Sequence, residues 1–291
     1  MKSNIKNEEF NQTTQKLMPI QKSDTVNITF LAFSFPISAL SNFPKESIID
    51  LQAELITDLC KKALKFWVND VLGFEMSPTR GRGCYGYKDS MTLSSNGEVM
   101  GLICLGGQRD TIFFQISDKG CKHLFSHITP SVLHHWLSKT LTVSKLSRID
   151  LAIDNFDGDF DCNYAVKAHK NGLFRTSSHG RYPEISSKNK YSSDTELKKE
   201  YRQEMILVGS RKSIIHWRIY NKKLQQGIKR DNFYWYRSEV ELKKLSVDSL
   251  LDLVATFADI CPFAASFYLD KGVKTKAVNK ATKFSLVAGI L

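Results

Sequence analysis

Three short segments of this 291-residue chain set acids, arginines and a tyrosine two residues apart. In residues 147–154 (SRIDLAID), Arg148, Asp150, Ala152 and Asp154 share one parity, and Ile149, Leu151 and Ile153 take the other. In residues 214–220 (IIHWRIY), His216, Arg218 and Tyr220 oppose Ile215, Trp217 and Ile219. In residues 236–243 (YRSEVELK), Arg237, Glu239, Glu241 and Lys243 oppose Val240 and Leu242. Residues two apart in a strand lie on one face, so each segment predicts a strand with one polar and one apolar side. A single such strand is ordinary for a half-solvated antiparallel sheet. As neighbours, the strands would crowd four carboxylates on one face, which demands cations. An oxygen-rich set of this kind suits Mg²⁺ or Mn²⁺. Asp150 and Glu239 are the expected ligands; Asp154 and Glu241, one pleat further along, either join them or orient Arg148 and Arg237.

A metal, a tyrosine and a basic surface together point to phosphoryl transfer on DNA. Tyrosine has a pKa of roughly 10 and is a poor nucleophile until a base or cation takes its proton. On this reading Tyr220 attacks, Arg218 holds the phosphate, and Lys222, Lys223, Arg211 and Lys212 follow the DNA backbone. Net charge supports a polyanionic partner: 41 Lys plus Arg against 30 Asp plus Glu give +11. The excess is concentrated, since residues 201–230 hold eight basic side chains and one acid, Glu204. His216 shares the face of Tyr220 and either assists it or is a hydrogen-bonded structural group. His134 and His135 are adjacent and cannot present two ligands on one helix face, so they read as a packing pair. Six cysteines without metal or C-x-x-C spacing read as free thiols in a reducing cytoplasm. The polar residues 1–24 lack the apolar core of a secretory leader, and the apolar run 26–40 is broken by Pro36. It reads as a buried strand, with no membrane partner expected.

The positioning elements are an α+β set, mainly antiparallel sheet with packed helices, in two lobes. Residues 1–24 are expected to be a disordered N-terminal segment, 25–142 an α+β lobe and 143–291 the catalytic lobe. Strands are predicted at 26–30, 111–116, 147–154, 214–220 and 235–242. Helical spacing covers 45–72. Thr129-Pro130 starts a helix over 131–140, a short helix covers 163–171, and Ser246 caps one running to Asp259. The polar stretch 180–202 predicts a long loop or arm that shares in DNA binding with the basic residues up to 230.

At these residues the chain resembles the Rep-trans family, the rolling-circle replication initiators of small plasmids and filamentous phages. Three blocks carry the resemblance: SRIDLAIDNFDGDF (147–160), GSRKSIIHWRIYNKK (209–223) and WYRSEVELKK (235–244). GLICLGGQRDTIFFQISDKGC (101–121) is similar to the phage branch. The first block departs slightly, with Ser147-Arg148 where the family has Thr-Arg. The resemblance implies that Tyr220 is the nucleophile and that Asp150, Asp154, Glu239 and Glu241 are the flanking acids. It implies nicking and rejoining of one strand at an origin through a 5′-phosphotyrosine. The implied partners are origin DNA, as single strand and supercoiled duplex, with host helicase and polymerase and a homodimer. A conjugative relaxase would use the same chemistry, whereas a non-catalytic DNA-binding regulator would bind without metal and form no adduct. The His-hydrophobic-His motif of the other large class of nicking enzymes is absent.

Overall fold

The computed structural model describes residues 25–42, 55–107, 110–177, 181–191, 201–230 and 232–269. The expected disordered segment 1–24 lies outside the described residues, as does part of the arm at 180–202. In chain order the elements are β1 (Asn27–Pro36), α1 (Leu55–Phe66), β2 (Glu75–Met76), β3 (Asp89–Ser95), β4 (Glu98–Leu105), β5 (Thr111–Ile116), α2 (Asp118–His127) and α3 (Pro130–His135). They continue with β6 (Lys145–Asn155), α4 (Cys162–Lys170), β7 (Ile185–Ser187), β8 (Lys190–Tyr191), β9 (Tyr201–Gln203), β10 (Met205–Val208), β11 (Ile215–Asn221), α5 (Lys222–Gln225), β12 (Tyr236–Ser246), α6 (Leu253–Ala258) and α7 (Pro262–Leu269).

A ten-stranded sheet in the order β2-β3-β4-β5-β1-β6-β12-β11-β10-β7 organises the molecule, and all its pairings are antiparallel. The fold is therefore α+β, as the sequence predicts. The sheet runs unbroken past the lobe boundary expected at residue 142, because β1 pairs with β5 on one side and β6 on the other.

One face of the sheet is apolar. In the N-terminal half Phe33, Phe35 and Phe114 meet Trp67, which the turn after α1 delivers, with ring centroids 4.9–6.0 Å from the indole. In the C-terminal half Trp217 packs edge-on against Phe257 of α6 and Phe263 of α7 at 5.5 and 5.4 Å. Each of these fully buried rings contributes about 1.5–3 kcal/mol over exposure, which fixes which face turns inward. The alternating polar residues are thereby forced onto the opposite face.

Several predicted elements change on folding. β12 continues to Ser246, so the helix expected from Ser246 to Asp259 is split into a 3-10 turn (Val247–Leu250) and α6. Ser246 does cap, but it caps the short turn, and Asp252 supplies a second cap through Ala255 N. Two capping signals in one apolar run produce two short helices. The helix expected at 131–140 is α3 followed by a π-helical turn at Trp136–Thr140. Among the described residues of the arm, 185–187, 190–191 and 201–203 form short strands rather than loop.

Candidate active site

The register assembles the polar face. Glu241 pairs with Asp150, Arg237 with Asp154 and Glu239 with Ala152; on the other side of β12, His216, Arg218 and Tyr220 pair with Glu241, Glu239 and Arg237. Paired residues of antiparallel strands point to the same side, so the three strands project one continuous set of side chains.

At its centre is Arg218. Its Nη2 lies 2.6 Å from Asp150 Oδ2 and 3.1 Å from Glu239 Oε1, so one guanidinium nitrogen joins the two carboxylates. Arg148 donates to both oxygens of Asp150 at 2.7 and 2.6 Å, and its Nη2 lies 3.0 Å from Glu241. Burial raises the Asp150 pKa, and the two guanidiniums oppose that rise. Glu239 accepts from the Thr29 hydroxyl at 2.7 Å and from the Tyr220 hydroxyl at 3.0 Å. Thr29 comes from an irregularity in β1, where the pairing with β6 shifts between Ile28 and Phe30.

Tyr220 is 4% exposed. Burial, reinforced by the Glu239 carboxylate, holds its phenol well above the ordinary range, so the resting hydroxyl is protonated and donates. It lines a cavity of about 520 Å³ together with Arg218, Arg237, Lys222, Arg211 and Glu239. Lys222 is buried with its ammonium 5.7 Å from the Tyr220 ring and 2.6 Å from Gln225 Oε1. Burial and the nearby Arg237 lower its pKa. Asn221 caps the four-residue α5 by accepting from Leu224 N, and this turn folds Lys222 back over the cavity. Lys223 is half-buried on the same turn, while Arg211 and Lys212 are exposed before β11.

The remaining acids are held apart from this centre. Asp154 receives a two-pronged contact from Arg237 at 2.8 and 2.6 Å and the Trp235 indole N–H at 2.7 Å. Burial works against the Arg237 charge, but Asp154 outweighs it and raises the pKa. Glu241 faces Arg148 and Lys243 at 3.0 and 3.1 Å. His216 is buried opposite Glu241, and burial lowers its pKa. Its Nδ1 has no hydrogen-bond partner among the described residues, and no bond joins it to Tyr220. His134 Nε2 donates to Asp248 Oδ1 at 2.9 Å, away from the site. Tyr236 donates to Glu204 at 2.6 Å and Tyr234 to the Phe160 carbonyl at 2.8 Å, so both phenols are committed elsewhere.

Among the described residues no three His, Cys, Asp or Glu side chains are arranged to hold a metal ion. The donor chemistry nevertheless has one place for a cation. Asp150 and Glu239 converge on a single positive nitrogen of Arg218, and these two carboxylates are the oxygen donors that would suit a divalent cation. Sequence reasoning missed Thr29, whose β1 position has no motif, and it missed the position of Lys222 inside the cavity.

No helix of the described residues is long and apolar enough to cross a membrane. A solved rolling circle replication initiator protein from Geobacillus stearothermophilus matches 80% of this chain and 83% of its own, with TM-score 0.55 and 21% identity. That likeness gives the fold. A comparison with curated proteins finds no significant match. The model of the replication initiation factor family matches residues 144–285, which contain β6, β11 and β12 with their polar face. By that match, residues 144–285 of this chain are similar in sequence to the replication initiation factor family.

Proposed function

We propose that this replication initiator nicks and rejoins one strand of DNA at an origin, with Tyr220 as the nucleophile. The observation carrying the reading is the Tyr220 hydroxyl donating to Glu239 at the wall of a cavity lined by arginines and lysines. Glu239 takes the phenolic proton as Tyr220 Oη bonds to a backbone phosphorus. The bond from phosphorus to the 3′-oxygen breaks, and that oxygen leaves as a 3′-hydroxyl after taking a proton from water. A 5′-phosphotyrosine remains. Rejoining reverses each step: the 3′-hydroxyl attacks, and Tyr220 recovers its proton from Glu239.

The cations supply what a buried phenolate and a five-coordinate phosphate need. Arg218 and Lys222 face the negative charge as it develops. Arg237 is fixed by Asp154 and holds its position beside them. Asp150 and Glu239 would hold Mg²⁺ or Mn²⁺, which when bound polarises the phosphate as a Lewis acid. Arg211 lines the cavity, and with Lys212 and Lys223 it follows the strand. The 3′-hydroxyl is the primer end for a host polymerase, with a helicase opening the duplex ahead of it.

The test is incubation with supercoiled plasmid carrying the cognate origin and either metal, followed by denaturing electrophoresis. A nicked strand that migrates with covalently attached protein is expected. Binding without any adduct in either metal would make the protein a regulator instead.

A further inference from the structure

The face that carries Tyr220 does not end at β6. Arg148 pairs with Ala32, Ala32 with Gln115 and Gln115 with Leu102, so β1, β5 and β4 continue the same side of the sheet. On it lie Phe30, beneath the Arg148 guanidinium at 4.2 Å, and Phe113, two residues from Gln115. Residues 77–88, outside the region matched by the family, fold down onto this surface. Tyr85 donates its hydroxyl to Gln115 at 2.8 Å and sets its ring against Phe113 at 5.2 Å. Tyr87 stacks on the other part of Phe113 at 6.1 Å and shares a hydrogen bond with Thr111 at 2.8 Å. The sulfur of Cys84 lies 2.8 Å from that of Cys104 on β4.

Two features separate this from an ordinary surface loop. Tyr85 is 63% exposed, yet both its ends are fixed and its backbone sits at φ 54°, a left-handed conformation costly for a bulky residue. Gly83 is required beside it, because a Cβ there would lie 1.9 Å from the Tyr87 carbonyl oxygen. The segment thus holds an aromatic ring out to solvent in one orientation. Its charge is one-sided as well: Arg80, Arg82 and Lys88 are exposed, and residues 77–88 contain no acid.

We propose that Tyr85, Tyr87 and Phe113 form a stacking platform for single-stranded DNA, flanked by Arg80, Arg82 and Lys88 and continued towards Tyr220 by Phe30 and Arg148. Fixed aromatic faces beside a positive groove bind unpaired bases irrespective of sequence, since every base has a π-face. From β5 to β11 there are four strand spacings, roughly 19 Å, and the registers set Phe113 level with residue 146 and Tyr220 level with Asp154, roughly 27 Å further along the strands. The platform therefore takes bases several nucleotides from the one whose phosphate reaches the cavity. It holds the opened strand in line with the cleavage centre. This inference rests on the reading of the site as one that acts on a DNA strand.

The test is fluorescence anisotropy with an oligothymidylate of about 16 nucleotides, with full-length protein. Tyr85→Ala should lower affinity about 5- to 150-fold, and Tyr85→Phe, which keeps the ring, should retain most of it. Arg82→Ala should reduce the slope of log affinity against log salt by about 0.7. An unchanged melting transition checks that Tyr85→Ala is folded, as the exposure of the ring predicts. Equal binding by Tyr85→Ala and wild type overturns the proposal, as does wild-type preference for a matched duplex over the single strand. Covalent adduct formation by wild type is measured separately. If it fails while Tyr85→Ala still weakens binding, the Tyr220 reading falls and the platform stands; if adducts form but Tyr85 is indifferent, the reverse holds.

Discussion

Replacing Arg218 by Met removes the charge shared by Asp150 and Glu239 and keeps the side-chain stem. Taking one partner from a buried ion pair costs about 3–5 kcal/mol. Two facts reduce that figure here. The Arg218 side chain is 18% exposed, and both acids keep other donors: Arg148 on Asp150, Thr29 and Tyr220 on Glu239. A loss of about 2–3 kcal/mol at neutral pH is expected. Its pH dependence follows from Asp150, whose folded pKa is already raised by burial. The folded state therefore holds a proton more tightly than the unfolded chain, and this group's contribution falls as pH rises from about 3.9 through the folded value. Without Arg218 the folded value climbs further, so the variant loses most at neutral pH and recovers part of the loss on acidification. Urea unfolding of both proteins, followed by tryptophan fluorescence at about pH 7 and about pH 5, measures this. A loss below about 1 kcal/mol, or an equal loss at both pH values, would refute the reasoning.

Glu239→Gln keeps a hydrogen-bond partner for Tyr220 but cannot take its proton, so single-turnover nicking should fall about 10²–10⁴-fold with DNA affinity little changed. Asp154→Asn strips Arg237 of its charged partner while both side chains are buried, and calorimetry should record a loss of about 3–5 kcal/mol. Lys222→Ala with Lys223→Ala should weaken DNA binding evenly across sequences and lower the salt slope by up to about two, as read from titrations at several salt concentrations.

The polar faces of β6, β11 and β12 were legible because period-two alternation is a local property: Asp150 and Asp154, or Arg218 and Tyr220, could have gone nowhere else once Ile149, Leu151, Trp217 and Ile219 were inside. What alternation could not convey was pairing. That Arg218 stands opposite Glu239, and that Arg218 and Arg237 each meet a carboxylate of a neighbouring strand, depends on register between strands far apart in sequence. The four acids suggested a metal by their charge, and alternation did not convey the guanidiniums that the folded chain also sets against them. Helix α2 escaped notice for a related reason. Gly120 weakens the helical signal, but the helix needs it there, since a Cβ would lie 2.3 Å from the Met100 carbonyl oxygen on β4. The loop at 77–88 has no periodicity to read, and its seat on the site face emerges from contacts to Phe113, Gln115, Thr111 and Cys104.

The central claim is that Tyr220 forms the covalent bond to DNA. The most direct measurement is mass spectrometry of proteolysed adduct, made by wild-type protein on supercoiled origin plasmid in the presence of Mg²⁺. The account predicts nucleotides attached through phosphate to the peptide containing Tyr220, and no adduct from folded Tyr220→Phe. An adduct on the peptide of Tyr234 and Tyr236, or one that persists in Tyr220→Phe, would contradict it.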